Sequence, residues 1–262
     1  MKLSRLMLVL FFIIIFFIIL SLTFSKGITK NIVVNVIDGD TIMLENGEVV
    51  RLLGINAPEK EQYLYEKAKS ELNYLLLNKS VILERDIQNK DKYGRLLRYV
   101  FIDGRNINVE MIRNGLALVY IIKPNEKYKN ELIAAWNSCL AENVNLCERS
   151  TEQCGACIKI SAINAFESNN DINTEFVELH NTCAFSCNIS GWMLSDSGNN
   201  IYNIINITLP EDSKIRIHTG YGENTKQDLF WNRDVPVWNN DGDSAFLRDR
   251  YGNLAAYFTY KT

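Results

Sequence analysis

The sequence predicts a mainly β chain with some α: a small Greek-key barrel carrying helices, followed by a β-sandwich. Three observations predict it. Short β-rich runs divided by Asp-Gly, Asn-Gly and Asn-rich turns occupy most of the chain; helical spacing is confined to segments before residue 142; and all six cysteines fall after residue 138. At 262 residues, two modest units each have enough chain to bury a core.

The barrel elements come first. Val33 to Ile37, Thr41 to Leu44 and Glu48 to Leu53 are β-rich runs joined at Asp38-Gly39-Asp40 and Asn46-Gly47, both hairpin signals. A helix is predicted over Glu61 to Leu77, where Tyr65, Ala68, Leu72, Leu75 and Leu76 share one face. Strands at Val81 to Arg85 and Leu96 to Ile102 complete a five-stranded set. Helices near Val109 to Asn114 and Asn125 to Ala141 close the unit, the second with Tyr128, Leu132, Ala135, Trp136 and Cys139 as its core stripe.

After a polar, cysteine-bearing linker over 148–157 the pattern turns wholly β. Runs at Ile158 to Ile163, Glu175 to Leu179, Ser190 to Leu194, Ile201 to Ile205, Lys214 to His218, Ser244 to Leu247 and Leu254 to Tyr260 predict a sandwich of seven or so strands over 158–262. Trp192 and Trp238 are expected in its core. Asp241-x-Asp243 is read as a turn between strands, and Asn188-x-Ser190 and Asn206-x-Thr208 fit the minimal N-glycosylation pattern.

Leu6 to Phe24 is an apolar run without a charge, preceded by Lys2 and Arg5. At ~1.5 Å per residue it measures roughly 28 Å, close to the ~30 Å hydrocarbon core. Residues 1–25 are therefore read as a membrane anchor, with a cleaved signal peptide ending near Thr23 and Ser25 as the alternative. Either reading places the rest of the chain outside the cytoplasm, anchored or secreted.

Six cysteines in an exported chain predict disulfides: Cys154 and Cys157 with Cys183 and Cys187, and Cys139 with Cys147. Spacing leaves a four-thiolate zinc site open for the first four. Overall charge is −3, from 28 basic and 31 acidic residues, which excludes a polybasic nucleic-acid coat. Residues 26 to 150 carry 18 basic and 17 acidic side chains, whereas 151 to 262 carry 8 and 14. Contact with a polyanion belongs to the first half.

Three polar clusters stand out there: Asp38-Gly39-Asp40-Thr41, then Arg51 with Asn56-Ala57-Pro58-Glu59, then Asp91-Lys92-Tyr93-Gly94-Arg95. A fourth block is Gly115-Leu116-Ala117 with Tyr120 and Lys123-Pro124-Asn125. In this order, from Val33 to Leu140, they resemble the thermonuclease family, the staphylococcal nuclease-like enzymes, and imply a five-stranded OB-fold barrel with helices over 26–147. The resemblance implies hydrolysis of DNA and/or RNA phosphodiesters, with 3′-phosphate products. It assigns Asp40, Asn56 and the Ala57 carbonyl to a Ca²⁺ or another divalent cation, with Asp38 acting through water. Glu59 would activate the attacking water, and Arg51 and Arg95 would clamp the phosphate. Lys92 and Tyr93 would hold a neighbouring phosphate, and Tyr120 would stack on a base.

Two residues depart from the family pattern. Asn56 replaces an aspartate, substituting a neutral ligand for a charged one, and Ile122 replaces one of an aromatic pair. The first half contains no histidine, so catalysis there rests on carboxylate, guanidinium and metal; His180 and His218 are read as structural.

In the second half, Glu175-Phe176-Val177-Glu178-Leu179-x-Asn181, Ser190-Gly191-Trp192-x-Leu194-x-Asp196 and Val237-Trp238-Asn239-Asn240-Asp241-Gly242-Asp243 resemble the lamin tail domain. That implies an immunoglobulin-like β-sandwich serving attachment to an unidentified partner. The expectation is a monomeric, membrane-anchored or secreted nuclease; the alternative is a surface binding or adhesion protein made inactive by Asn56.

Overall fold

A computed structural model describes residues 31–165 and 172–260 of the chain. The apolar run Leu6 to Phe24 lies outside them. Among the described residues no helix is long and apolar enough to cross a membrane.

The chain opens as a meander of β1 (Asn31–Val36), β2 (Thr41–Leu44) and β3 (Val49–Leu52). Thr41 lies opposite Arg51 across the second hairpin, so the Asp38–Thr41 turn and the end of β3 are neighbours. After the short β4 (Ile55–Asn56) comes α1 (Tyr65–Leu76), which turns Ala68, Leu72, Leu75 and Leu76 inward at helical spacing. It starts four residues later than its periodicity predicts, because Glu61 and Leu64 take positive φ of 74° and 67° and hold that stretch in turns.

Strands β5 (Ser80–Glu84) and β6 (Leu96–Ile102) complete the barrel. Neighbours run β3-β2-β1-β5-β6, and parallel pairing of β3 with β6 closes the five strands. Closure removes the unpaired edges that an open sheet of this size would expose. The two-residue β7 (Arg105–Asn106) leads into α2 (Ile107–Arg113), capped by the Asn106 side chain accepting from the Val109 N–H. After β8 (Leu118–Val119), α3 (Lys129–Glu142) packs on α2 and buries Leu132, Ala135, Trp136 and Cys139.

The second half is a β-sandwich. One sheet is ordered β16-β15-β10-β9, from β9 (Ile158–Asn164), β10 (Phe176–Asn181), β15 (Lys214–His218) and β16 (Asp228–Phe230). The other is ordered β13-β12-β17-β18, from β12 (Met193–Ser195), β13 (Ile201–Asn203), β17 (Asp243–Arg248) and β18 (Leu254–Tyr260). A small ladder joins β11 (Cys187–Asn188) to β14 (Thr208–Leu209). Val177, Leu179, Ile215 and Ile217 of the first sheet share a buried core with Leu194, Ala245 and Leu247 of the second, around Trp192 and Trp238. The sandwich thus holds ten described strands rather than seven; the extra ones are two or three residues long, too short to show a period.

All six cysteines are paired: Cys139 with Cys147, Cys154 with Cys187, and Cys157 with Cys183, at Cα separations of 5.8, 5.8 and 5.2 Å. The zinc alternative does not hold, since no thiolate is left. His180 and His218 each meet an aspartate, Asp212 and Asp228, at 2.8 Å.

The halves share a buried seam. Phe246 and Leu254 of the sandwich belong to the same apolar cluster as the barrel helices, with the Phe246 ring 5.6 Å from Trp136. Arg248, buried, donates from Nη1 to the Leu146 and Gly252 carbonyls, and burial lowers its pKa to about 10. Linker residues pair directly with β18: Leu254 N–H donates to Glu148 O, and Ser150 N–H to Leu254 O.

Candidate functional site

One end of the barrel gathers the polar residues of the first two motif clusters. The Asp38–Thr41 turn folds back on itself, with Asp38 Oδ1 accepting from the Asp40 N–H at 3.0 Å. This aims Asp40 across the turn toward β4. Its Oδ2 accepts from the Ala57 N–H at 2.8 Å and meets Arg51 Nη2 at 3.0 Å, while Oδ1 accepts from the Thr41 hydroxyl at 3.0 Å.

Gly39 permits this close approach. A Cβ there would lie 2.7 Å from the Ala57 Cβ and 2.8 Å from that of Ala68. Burial raises the Asp40 pKa to about 6; Arg51 opposes the rise and Asp38 adds to it.

Arg51 is tied down at both terminal nitrogens. Nη1 donates to the Leu52 and Ile55 carbonyls at 2.6 and 2.9 Å, and Nη2 to Asp40 and to Asn56 Oδ1, the latter at 3.0 Å. The Gly54 turn, at φ +75°, brings these carbonyls round to the guanidinium. Asn56 itself is only 7% exposed.

The structure therefore joins Asp38, Asp40, Arg51, Asn56 and Ala57 into one hydrogen-bonded set. Glu59, two residues beyond Ala57, has an exposed side chain, and its backbone N–H donates to Gln62 Oε1 at 2.7 Å. Lys92, Tyr93 and Arg95 occupy a separate turn between β5 and β6, organised by Asp91. Asp91 Oδ2 accepts from Arg95 Nε at 2.7 Å, and Oδ1 from the N–H groups of Tyr93 and Arg95. The Tyr93 ring is exposed, with Arg95 5.5 Å and Lys92 5.1 Å from its centroid.

Tyr120 follows β8, its N–H bonded to Gly54 O. It lines a cleft of about 370 Å³ with Ile122 and Lys123 on one wall and Ser197, Asn239 and Asp243 of the sandwich on the other. Burial raises its pKa.

Sequence reasoning missed two residues of this site. The turn between β12 and β13 reaches the barrel: Asn56 Nδ2 donates to Ser197 O at 3.0 Å, and Asn199 Nδ2 donates to Ala57 O at 2.8 Å. Asp196-Ser197-Gly198-Asn199-Asn200 carries the signature of a turn, but nothing in it indicates a contact more than 140 residues away in the chain. Two buried acids hold this turn. Asp196 accepts from the N–H and Nδ2 of Asn200, both at 2.7 Å, and Asp243 accepts from the Ser197 N–H at 3.4 Å and from Asn239 Nδ2 at 2.8 Å. Burial raises the pKa of both, that of Asp196 to about 6.

Asp38, Asp40, the Asn56 amide oxygen and the Ala57 carbonyl are all hard oxygen donors, which fit Ca²⁺ or a similar cation. Among the described residues, the only cluster of three or more His, Cys, Asp or Glu ligand atoms is the disulfide group Cys154, Cys183 and Cys187.

Comparison with known proteins gives two family matches: staphylococcal nuclease homologue over residues 49–149 and lamin tail domain over 151–262. The chain is 37% identical over 127 residues to a thermonuclease of Staphylococcus intermedius, covering 45% of this chain and 76% of that one. It is 35% identical over 109 residues to the Staphylococcus hyicus thermonuclease, covering 38% and 64%. It is also 40% identical over 103 residues to the endonuclease YncB of Bacillus subtilis, covering 35% and 49%. The likeness to each of these relatives takes in less than half of the chain.

Proposed function

The chain belongs to the staphylococcal nuclease homologues, with a lamin tail domain behind the barrel, and on that premise we propose that it is a divalent-cation-dependent phosphodiesterase cutting DNA, RNA or both. The observation carrying this reading is the single hydrogen-bonded set of Asp40, Arg51, Asn56 and Ala57 at one end of the barrel. It collects oxygen ligands and a phosphate-binding guanidinium in one place.

Asp40, Asn56 Oδ1 and the Ala57 carbonyl would hold the cation, with Asp38 acting through water. When bound, the cation supplies positive charge against the phosphoryl oxygens as negative charge builds on them. Arg51 would give up its Nη2 bonds to Asp40 and Asn56 in favour of a phosphate oxygen, keeping its Nη1 anchors on the Leu52 and Ile55 carbonyls. Arg95, steadied by Asp91, would supply the second guanidinium. Glu59 would take the proton of the attacking water. The water oxygen would bond to phosphorus as the bond to the 5′-oxygen breaks, and the departing 5′-oxygen would take a proton from solvent, leaving 3′-phosphate and 5′-hydroxyl ends. Lys92 and Tyr93 would hold a neighbouring phosphate, and Tyr120 a base.

Action outside the cytoplasm, by an anchored or secreted chain, is supported by the Leu6 to Phe24 run and by three disulfides, which persist in oxidising compartments. The test is cleavage of single-stranded and duplex DNA and RNA by the full chain in non-ionic detergent, with Ca²⁺, Mg²⁺, Mn²⁺ or EDTA. Cation-dependent cutting should be lost in Glu59→Gln and Arg95→Ala. A folded chain that binds oligonucleotides and cuts none with any cation refutes the reading and makes it a binding protein.

A further inference from the structure

We infer that the Ser197–Asn199 turn of the lamin tail domain is a positioning element of the barrel's cation site, so that the site is complete only with this turn in place. This rests on the reading of Asp40, Asn56 and Ala57 as cation ligands. Two hydrogen bonds carry it, one on each of two neighbouring ligand residues. Asn56 is gripped through its nitrogen by the Ser197 carbonyl, and the Ala57 carbonyl is gripped by Asn199 Nδ2.

The first bond fixes which way the amide faces. With Nδ2 committed to Ser197 O, Oδ1 must point to Arg51 and the Asp40 side of the site. A carboxylate at position 56 would set an oxygen against the Ser197 carbonyl with no proton between them. The amide at this position is therefore the residue that the second domain requires, and the departure from the family pattern follows from docking.

The second bond fixes the peptide that follows Asn56. The Ala57 N–H is held by Asp40 and its carbonyl by Asn199, so the Ala57 backbone is pinned on both sides. A carbonyl has two lone pairs, and the one not used by Asn199 remains for a cation. Groups that orient metal ligands in this way are worth about 10- to 100-fold in affinity when removed.

The turn is built to be rigid. Asn199 sits at φ 66°, a left-handed conformation that asparagine tolerates. Its neighbours are bound to the buried acids Asp196 and Asp243, whose oxygens serve the turn rather than the cation.

The test measures Tb³⁺ and Ca²⁺ binding by the full chain in non-ionic detergent, using lanthanide luminescence and calorimetry, beside the thermal midpoint and DNA cleavage. Asn199→Gly removes the donor and suits the positive φ. Tyr257→Leu is the control: it loosens the seam at Trp136, 6.4 Å away ring to ring, without touching the turn. The expected result is at least tenfold weaker ion binding in Asn199→Gly, with kcat at saturating Ca²⁺ changed less than the Ca²⁺ requirement, and unchanged ion binding in Tyr257→Leu. Rescue by Asn199→His, which restores a side-chain N–H, would support the same assignment.

Equal ion affinity in wild type and Asn199→Gly overturns the inference and leaves the contact a structural one. Tighter binding in Asn199→Gly overturns it too, and makes the turn a plug. Loss of affinity equal in Asn199→Gly and Tyr257→Leu traces the effect to domain docking in general and refutes the specific role. If the wild type cuts nucleic acid with no cation requirement, the proposed function fails at its metal. If it requires the cation and only the Asn199 comparison is flat, the inference alone fails.

Discussion

Asn56→Asp restores the family's charged ligand, and its effects on stability and cation binding should have opposite signs. In the wild type, Asn56 Nδ2 satisfies the Ser197 carbonyl at 3.0 Å in a site only 7% exposed at Asn56. Losing that donor leaves a buried acceptor unpaired, at a cost of about 1–3 kcal/mol. The new carboxylate would also lie near Asp40, no more than about 6 Å from it, since both oxygens are 3.0 Å from Arg51 Nη2. At an effective dielectric of ~20, that repulsion is roughly 3 kcal/mol at ~5 Å and attraction to Arg51 roughly 4 kcal/mol at ~4 Å, the surplus being opposed by the cost of burying a new charge. The two electrostatic contributions nearly cancel, leaving the lost hydrogen bond. A net cost of about 2 kcal/mol corresponds to a midpoint lower by roughly 4–8 °C for a unit of this size. Thermal unfolding in EGTA measures it. Repeating the scan across a Ca²⁺ series should narrow the gap, because a second carboxylate binds the ion more tightly and ligand binding stabilises in proportion to occupancy. A variant at least as stable as wild type in EGTA would refute the role of the Ser197 contact. Equal Ca²⁺ affinity in both proteins would refute the claim that the amide weakens binding.

Gly54→Ala should cost about 3 kcal/mol in denaturant unfolding, since position 54 has φ +75° and a Cβ would lie 2.4 Å from Leu132 Cδ1; a loss below about 1 kcal/mol would show that α3 yields easily. Replacing Cys157 and Cys183 together by serine opens a link spanning 26 positions and should destabilise the sandwich by about 3 kcal/mol, while reductant should then have less effect on the variant than on wild type. Asp196→Asn should change the pH dependence of stability. Burial raises Asp196 from 3.8 to about 6, so the folded chain holds a proton that the unfolded chain releases between these values. Wild-type stability therefore loses up to about 3 kcal/mol at this residue as pH rises from about 4 to above 6. The variant-minus-wild-type difference should move in the variant's favour by that order over the same range, and a flat difference would remove burial as the cause.

The elements with a clear period were legible in the sequence. β6 and β18 have the bounds that their β-rich runs predict, and the inward faces of α1 and α3 are the predicted stripes. Element starts were less legible where backbone conformation overrides composition. The helix predicted from the Tyr65 to Leu76 stripe reaches back to residue 61, yet Glu61 and Leu64 adopt φ values that an α-helix excludes. The short ladders β4–β8 and β11–β14 were invisible because two residues cannot express an alternation. At the site, the motif blocks identified Asp40, Arg51, Asn56 and Ala57 as a group, and the fold brings them within hydrogen-bond reach. Ser197 and Asn199 could not be found in this way. Their role depends on where two domains meet, and a turn motif reports only its own local geometry.

The charge asymmetry between the halves bears on how such a contact can exist. A domain carrying 8 basic and 14 acidic residues is a poor neighbour for a phosphate-binding site. At the point of contact, though, it presents a backbone carbonyl and an amide NH₂, both uncharged. The nearest acids, Asp196 and Asp243, are buried and accept hydrogen bonds within their own turn. The exposed Asp241 is paired with Lys123 at 3.5 Å, on the rim of the Tyr120 cleft. The acidic domain thus reaches the site through neutral groups, and the barrel answers with a neutral residue of its own. An aspartate at position 56 would break that match, whereas an asparagine keeps an oxygen for the cation and a proton for the neighbouring domain.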